Sequence, residues 1–196
     1  MKLSAVLLAG GESRRMGRDK AIVGFRGQPL WCHQLAVLRE VGPFELLISA
    51  RKDPSWRPPD TIFVQDIPPS RGPLSGVAAA MTVMRGSHLF ALAVDMPFIT
   101  PLLINAMCRM TSLRSGTLPK IGHRAEPLAA IYPRECLAVL TSALGGQEFS
   151  MQHVTEKLVA DGLMSGFQVS RSDAQLYRSL NEPEDIEKFE GSPATY

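Results

Sequence analysis

The segment Leu8-Ala9-Gly10-Gly11-Glu12-Ser13-Arg14-Arg15-Met16-Gly17-Arg18-Asp19-Lys20 places a glycine pair and four cationic side chains directly after a short apolar run. Gly10 and Gly11 lack Cβ atoms, so their backbone N–H groups can approach an anion closely. Arg14, Arg15, Arg18 and Lys20 add charge-assisted donors, arginine as a planar fork and lysine as a compact point charge. Such a loop suits a polyphosphate, and a solvated basic turn is the alternative that the segment alone leaves open. It is not a P-loop, because Gly10 and Gly11 are adjacent and Lys20 lies nine residues beyond Gly11 and is followed by Ala21. It is not the G-x-G-x-x-G dinucleotide fingerprint either, since neither glycine starts that spacing.

Outward from this loop, short apolar runs alternate with helical patterns, the signature of βαβ units whose mostly parallel sheet is covered on both faces. Strands are expected at Leu3–Leu8, Leu46–Ser49, Ile62–Val64, Leu89–Val94, Leu128–Tyr132 and Phe167–Val169. Helices are expected at Pro29–Val41, Pro73–Met84, Pro101–Thr111, Pro133–Leu144, Met151–Asp161 and Pro183–Phe189. The fold class is therefore α/β, a Rossmann-like three-layer α/β/α arrangement. Residues 113–123 match no motif and are expected to include a loop.

A chain of 196 residues, 45% hydrophobic and 20% charged, is expected to form one globular domain over 1–196. Its 21 basic and 19 acidic residues leave a formal charge of +2, too balanced for a protein that binds long nucleic acid by neutralising phosphates. Cys32, Cys108 and Cys136 form no C-x-x-C pair, which argues against zinc and disulfides and for a reducing cytoplasm. No run approaches the roughly 20 apolar residues of a membrane span, and Leu3–Leu8 is strand length, too short for a signal sequence.

Ligands of open α/β sheets bind outside the carboxyl ends of the strands. The polar residues there are the glycine loop, Ser49, Asp66 and Asp95. Asp95, in Ala93-Val94-Asp95-Met96-Pro97-Phe98, is the sharpest of them: a carboxylate at the end of the most apolar strand suits Mg²⁺ held otherwise by water and phosphates, or else forms a turn before proline. Asp66, before Ile67-Pro68-Pro69, reads equally as ligand contact or turn. Arg71-Gly72-Pro73-Leu74-Ser75-Gly76 opens a helix of small residues that suits close approach of a nucleobase or of the neighbouring sheet. Asn181, in Asn181-Glu182-Pro183-Glu184-Asp185, suits a helix cap or a ligand contact. His33, His88, His123 and His153 share no metal spacing and read as structural or surface residues.

Together these segments resemble the nucleotidyltransferases of the molybdenum cofactor guanylyltransferase (MobA) type, within the nucleotide-diphospho-sugar transferase fold. LAGGESRRMGRDK is similar to the family pattern LAGG-x-S-x-R-M-G-x-D-K, GPLSG to a GPLAG-like loop, DMPF to D-x-P-F/Y, and NEPED to N-T-P-E-D. The chain departs from the family where Ser49-Ala50-Arg51 follows the second strand, a position often occupied by Asn, and where Glu182 replaces Thr.

The resemblance implies nucleotide contacts from Leu8, Ala9, Gly10, Gly11, Lys20, Ser49, Asp66, Gly72, Pro73, Leu74 and Asp95. It implies catalytic roles for Arg15, Lys20 and Asp95, with Asp95 holding nucleotide-linked Mg²⁺. Glu126, Pro127, Leu128 and Asn181 would border a pterin acceptor, molybdopterin or its metal-loaded form. Relatives using CTP tend to read LAAG, so Gly10-Gly11 favours GTP. Cofactor-delivery proteins or molybdoenzymes are the further partners implied. A cytidylyltransferase of the same fold and a non-catalytic GTP-binding module are the competing readings.

Overall fold

The computed structural model describes residues 1–10, 19–66, 68–181 and 185. β1 (Leu3–Leu8) is followed by a 3-10 turn at Lys20–Ile22 and a small hairpin, β2 (Gly24–Phe25) and β3 (Gln28–Pro29). Arg26 and Gly27 join the hairpin at φ 50° and 78°, the positive pair that a two-residue turn between twisted strands requires. Then come α1 (Leu30–Val41), β4 (Glu45–Ala50), β5 (Ile62–Gln65), α2 (Pro73–Val83), β6 (His88–Ala93) and α3 (Pro101–Met110). The chain continues through β7 (Gly116–Ile121), β8 (Arg124–Ala125), β9 (Ala129–Pro133), α4 (Leu137–Gly145), α5 (Met151–Ala160) and β10 (Met164–Gln168).

Local chemistry sets the helix ends. Pro101 opens α3 behind Thr100, whose hydroxyl accepts from Leu103 N at 3.3 Å. α1 stops at Gly42, which takes the left-handed conformation at φ 68°. Gly162, at φ 72°, follows α5, with its N–H and that of Leu163 bonded back to Val159 and Leu158.

The main sheet runs β5-β4-β1-β6-β9-β7-β10, with β8 beside β7. Pairings among β5, β4, β1 and β6 are parallel, as is β7 with β10, while β9 runs against both β6 and β7. Alternate strand residues feed two cores. Ala5, Leu7, Ile48, Phe90 and Leu92 pack with Leu35 and Leu38 of α1 and Ile104 and Met107 of α3. Val6, Leu8, Leu47, Leu89 and Ala91 pack with α2, Leu140 of α4 and Val154 and Leu158 of α5. This is the expected three-layer arrangement with a mostly parallel sheet.

The region 113–123, expected to include a loop, differs from expectation. Residues 116–121 form β7, inside the sheet between β9 and β10. Gly116 and Pro119 weaken its strand signal, since proline cannot donate to a ladder. Pro119 lies beyond the single Thr117–Ile131 bridge to β9, and its carbonyl accepts from Glu126 N at 2.9 Å. The helix expected at 183–189 falls outside the described residues, apart from Asp185.

Candidate active site

After β1 the chain continues to β4 on one side, and after α2 it returns as β6 on the other, so β1 flanks the point where the strand order reverses. The carboxyl ends of β1, β4 and β6 open there into a cavity of about 530 Å³. Crevices at such points are where α/β sheets bind ligands. Ala9 N donates to Ser49 O at 2.9 Å and Val94 N to Leu8 O at 3.1 Å, so the strand ends are tied together at its floor.

At one end of the cavity lies a charged hub. Lys20 Nζ donates to Asp95 Oδ2 at 2.8 Å and to Asn181 Oδ1 at 3.0 Å, and both Lys20 and Asp95 side chains are about one-fifth exposed. Lys20 is presented by a 3-10 turn capped by Asp19, whose Oδ1 accepts from Ala21 N at 2.9 Å. Asp19 Oδ2 accepts from Trp56 Nε1 at 3.5 Å, and Trp56 stacks on Trp31 with ring centroids 5.2 Å apart. Asp95 is set by the turn after β6: Met96 N bonds Ala93 O, and Leu180 N donates to Asp95 O at 2.8 Å. His33 Nε2 donates to Pro97 O at 2.9 Å, and Phe98 meets the edge of Phe25 at 5.5 Å. The DMPF segment is thus anchored by the hairpin and α1. Burial holds His33 below the usual imidazole range, which suits its structural role.

At the other end, Ser49 donates its hydroxyl to Asp66 Oδ1. Ser49 is 1% and Asp66 7% exposed. Burial pushes the Asp66 carboxyl above its usual range, and the Ser49 hydrogen bond and the Arg51 charge oppose that shift. The walls are glycine by necessity: a Cβ on Gly10 would strike the Asp66 carboxylate, and one on Gly76 would stand 2.6 Å from Ser49 Oγ. Gly72 takes φ 66° as it opens α2, behind Pro73 at the first turn.

Of the sequence-expected nucleotide residues, Leu8, Ala9, Gly10, Lys20, Ser49, Asp66, Gly72, Pro73 and Asp95 all line this one cavity. Leu74 does not line it; its side chain is fully buried in the core beneath α2. Gly11 and Arg15, with Arg14 and Arg18, lie outside the described residues. On the acceptor side, Leu128 lines the cavity and Asn181 joins it through Lys20. Glu126 sits just before Leu128, its carboxyl raised by burial against the opposing Arg124 charge, and Pro127 is buried with its carbonyl accepting from Tyr132 Oη at 2.6 Å.

Sequence reasoning gave no role to Asp19, Arg51 or Ser70, which also line the cavity, as does Gly76 of the small-residue segment. Arg51 and Asp19 carried a usable signal, standing directly after a strand and directly before Lys20.

Asp95 supplies one carboxylate beside a cation, a donor set that fits Mg²⁺ held mainly by phosphates and water. Among the described residues no group of three or more His, Cys, Asp or Glu gathers into an all-protein metal cage.

A mostly parallel sheet between two helical layers, with a cavity at its switch point, is the arrangement in which α/β proteins bind ligands. Residues 5–161 match the family described as MobA-like NTP transferase domain, and the chain belongs to that family. The chain is 36% identical over 189 residues to a probable molybdenum cofactor guanylyltransferase of Opitutus terrae, covering 95% of this chain and 94% of that one. It is 32% identical over 194 residues to a molybdenum cofactor guanylyltransferase of Syntrophotalea carbinolica, covering 95% and 90%. The fold is similar to that of molybdopterin-guanine dinucleotide biosynthesis protein A from Archaeoglobus fulgidus, with TM-score 0.76 and 22% identity over 95% of this chain and 96% of that one. It is also similar to 2-C-methyl-D-erythritol 4-phosphate cytidylyltransferase from Thermus thermophilus, with TM-score 0.67 and 15% identity over 94% and 96%. Nucleotidyltransferases of this type generally depend on a divalent metal.

Proposed function

We propose that the protein transfers GMP from GTP to molybdopterin or the molybdenum cofactor, giving the guanine dinucleotide form and pyrophosphate. The observation that carries this reading is the hub in which Lys20 bridges Asp95 and Asn181, residues 75 and 161 positions away, at one end of the cavity that holds Asp66 at the other. A buried carboxylate repels phosphate, so the triphosphate lies toward Lys20 and the base toward Asp66. An ionised carboxylate only accepts hydrogen bonds. Guanine presents an adjacent N1–H and amino group to it, whereas cytosine offers one amino group beside two acceptors.

In the reaction an oxygen of the acceptor's terminal phosphate forms a bond to the α-phosphorus, and the bond from that phosphorus to the β-phosphate oxygen breaks, releasing pyrophosphate. The attacking phosphate is already anionic, so alignment and charge neutralisation matter more than a general base. Lys20 binds the phosphates, the backbone amides after β1 cradle them, and Arg15 adds a second cation, a role that rests on sequence alone. Asp95 would hold Mg²⁺, which supplies charge neutralisation across the phosphates. Leu128, Glu126, Pro127 and Asn181 border the pterin. Gly11 is assigned to phosphate contact on sequence alone, and Leu74 fixes the start of α2. The three thiols, none in a disulfide, are compatible with a cytoplasmic enzyme that hands its product to delivery proteins or molybdoenzymes.

Pyrophosphate release with molybdopterin and Mg²⁺, comparing GTP with CTP, tests the reading, with mass spectrometry of the product. A guanine dinucleotide product is expected. Preference for CTP, or GTP binding without pyrophosphate release, would overturn it.

A further inference from the structure

The base end of the cavity contains a second charged residue that the nucleotide reading above leaves without a role. Arg51 is the first residue after β4, lines the cavity beside Asp66, and is exposed. Its carbonyl accepts from Gln65 Nε2 at 3.4 Å and Asp66 N donates to Ala50 O at 3.0 Å, so the ends of β4 and β5 hold Arg51 and Asp66 side by side. The positive charge of Arg51 acts on the Asp66 carboxyl, drawing it back toward its ordinary range.

The Ser49 hydroxyl points its hydrogen at Asp66, and Lys20 lies at the opposite end with Asp95 and Asn181. Guanine carries two consecutive edges with opposite polarity: N1–H and the 2-amino group donate, and O6 and N7 accept. A carboxylate beside a guanidinium matches that order, because the carboxylate only accepts and the guanidinium only donates. The arginine fork also fits O6 and N7 together, its commonest pairing with guanine.

We infer that Arg51 is a specificity residue that reads the O6/N7 edge of guanine while Asp66 takes the N–H edge. The inference rests on the guanylyltransferase reading of the same site. Arg51 also makes up for the short Ser49 side chain, which is occupied with Asp66 and presents no donor to the base.

Equilibrium binding of GTP, 7-deaza-GTP and CTP to the full chain with Mg²⁺ tests this, in the wild type and in Arg51→Ala and Arg51→Gln. 7-Deaza-GTP lacks the N7 acceptor and keeps the N–H edge. The wild type is expected to bind GTP about tenfold more tightly than 7-deaza-GTP. In both variants that ratio should fall to near one, through weaker GTP binding with 7-deaza-GTP much less affected. Arg51 is exposed, so both variants should fold, and an unchanged melting temperature checks this. If the wild type prefers GTP to CTP but its GTP to 7-deaza-GTP ratio is near one, or survives in both variants, the Arg51 inference fails alone. If the wild type does not prefer GTP to CTP, the guanine reading fails and takes the inference with it.

Discussion

The two ends of the cavity solve opposite electrostatic problems. At the proposed phosphate end a lysine, a carboxylate and an amide from three distant parts of the chain satisfy one another, with Lys20 2.8 Å from Asp95 and 3.0 Å from Asn181. At the proposed base end a carboxylate is buried against a hydroxyl and glycine walls, with a guanidinium alongside. On the proposed reading, the first arrangement is a set of charges held in register until a polyanion joins them. The second is a rigid slot whose acceptor is costly to bury, so it favours a ligand that returns donors to it.

Breaking the phosphate end should have the largest effect. Asp95→Ala removes the carboxylate proposed to hold Mg²⁺ and the Lys20 partner, and turnover should fall on the order of a thousandfold in a pyrophosphate assay. Lys20→Ala should cost about a hundredfold in kcat/KM by the same assay. Wild-type turnover in either variant would remove that residue from the mechanism.

The base end should respond in affinity more than in chemistry. Gly10→Ala places a methyl group against the Asp66 carboxylate, and crowding of about 1–3 kcal/mol, if relieved at the expense of the bound base, corresponds to roughly fivefold to a hundredfold in GTP affinity, readable by calorimetry. A Gly10→Ala protein that binds GTP normally would show that the slot opens easily.

Asp66 gives a test with a sign. Its folded pKa is raised by burial, so the stability linked to it is present at acid pH, below the ordinary carboxylate range, and is lost as pH rises through the folded value. Asp66→Asn should therefore melt slightly higher than wild type at neutral pH while binding GTP less well. Ser49→Ala removes a hydrogen bond that lowers the Asp66 pKa, so the loss of GTP affinity on acidification should begin at higher pH. An unshifted affinity profile would separate Ser49 from Asp66.

The smallest effect lies at the far end of the sheet. His88 is fully buried, 3.0 Å from both Ser87 Oγ and Ser112 O, and burial lowers its pKa from the ordinary 6.5. Its contribution is present above that ordinary value and is lost as pH falls below it. Melting temperature should decline modestly on acidification with kcat/KM unaffected by His88 itself, which distinguishes this titration from that of Asp66.

The helix at Pro101 and the stop at Gly162 were readable because proline and glycine act locally on the backbone. β7 was not, because Gly116 and Pro119 read locally as a loop and only pairing with β9 and β10 makes them a strand. Asp95 was readable as a lone carboxylate after an apolar strand, whereas the partnership of Ser49 with Asp66 depends on β4 and β5 lying side by side.

Sequence by itself determined the α/β class, the strand ends that carry chemistry and the glycine-rich, cationic character of the first loop, because these follow from periodicity and residue chemistry within short windows. Tertiary structure alone decided that Lys20, Asp95 and Asn181 share one hub, that Gly10 and Gly76 wall the Asp66 slot, and that Arg51 stands beside it. Those facts depend on strand order and register, which bring distant residues within hydrogen-bonding reach and which no local pattern encodes.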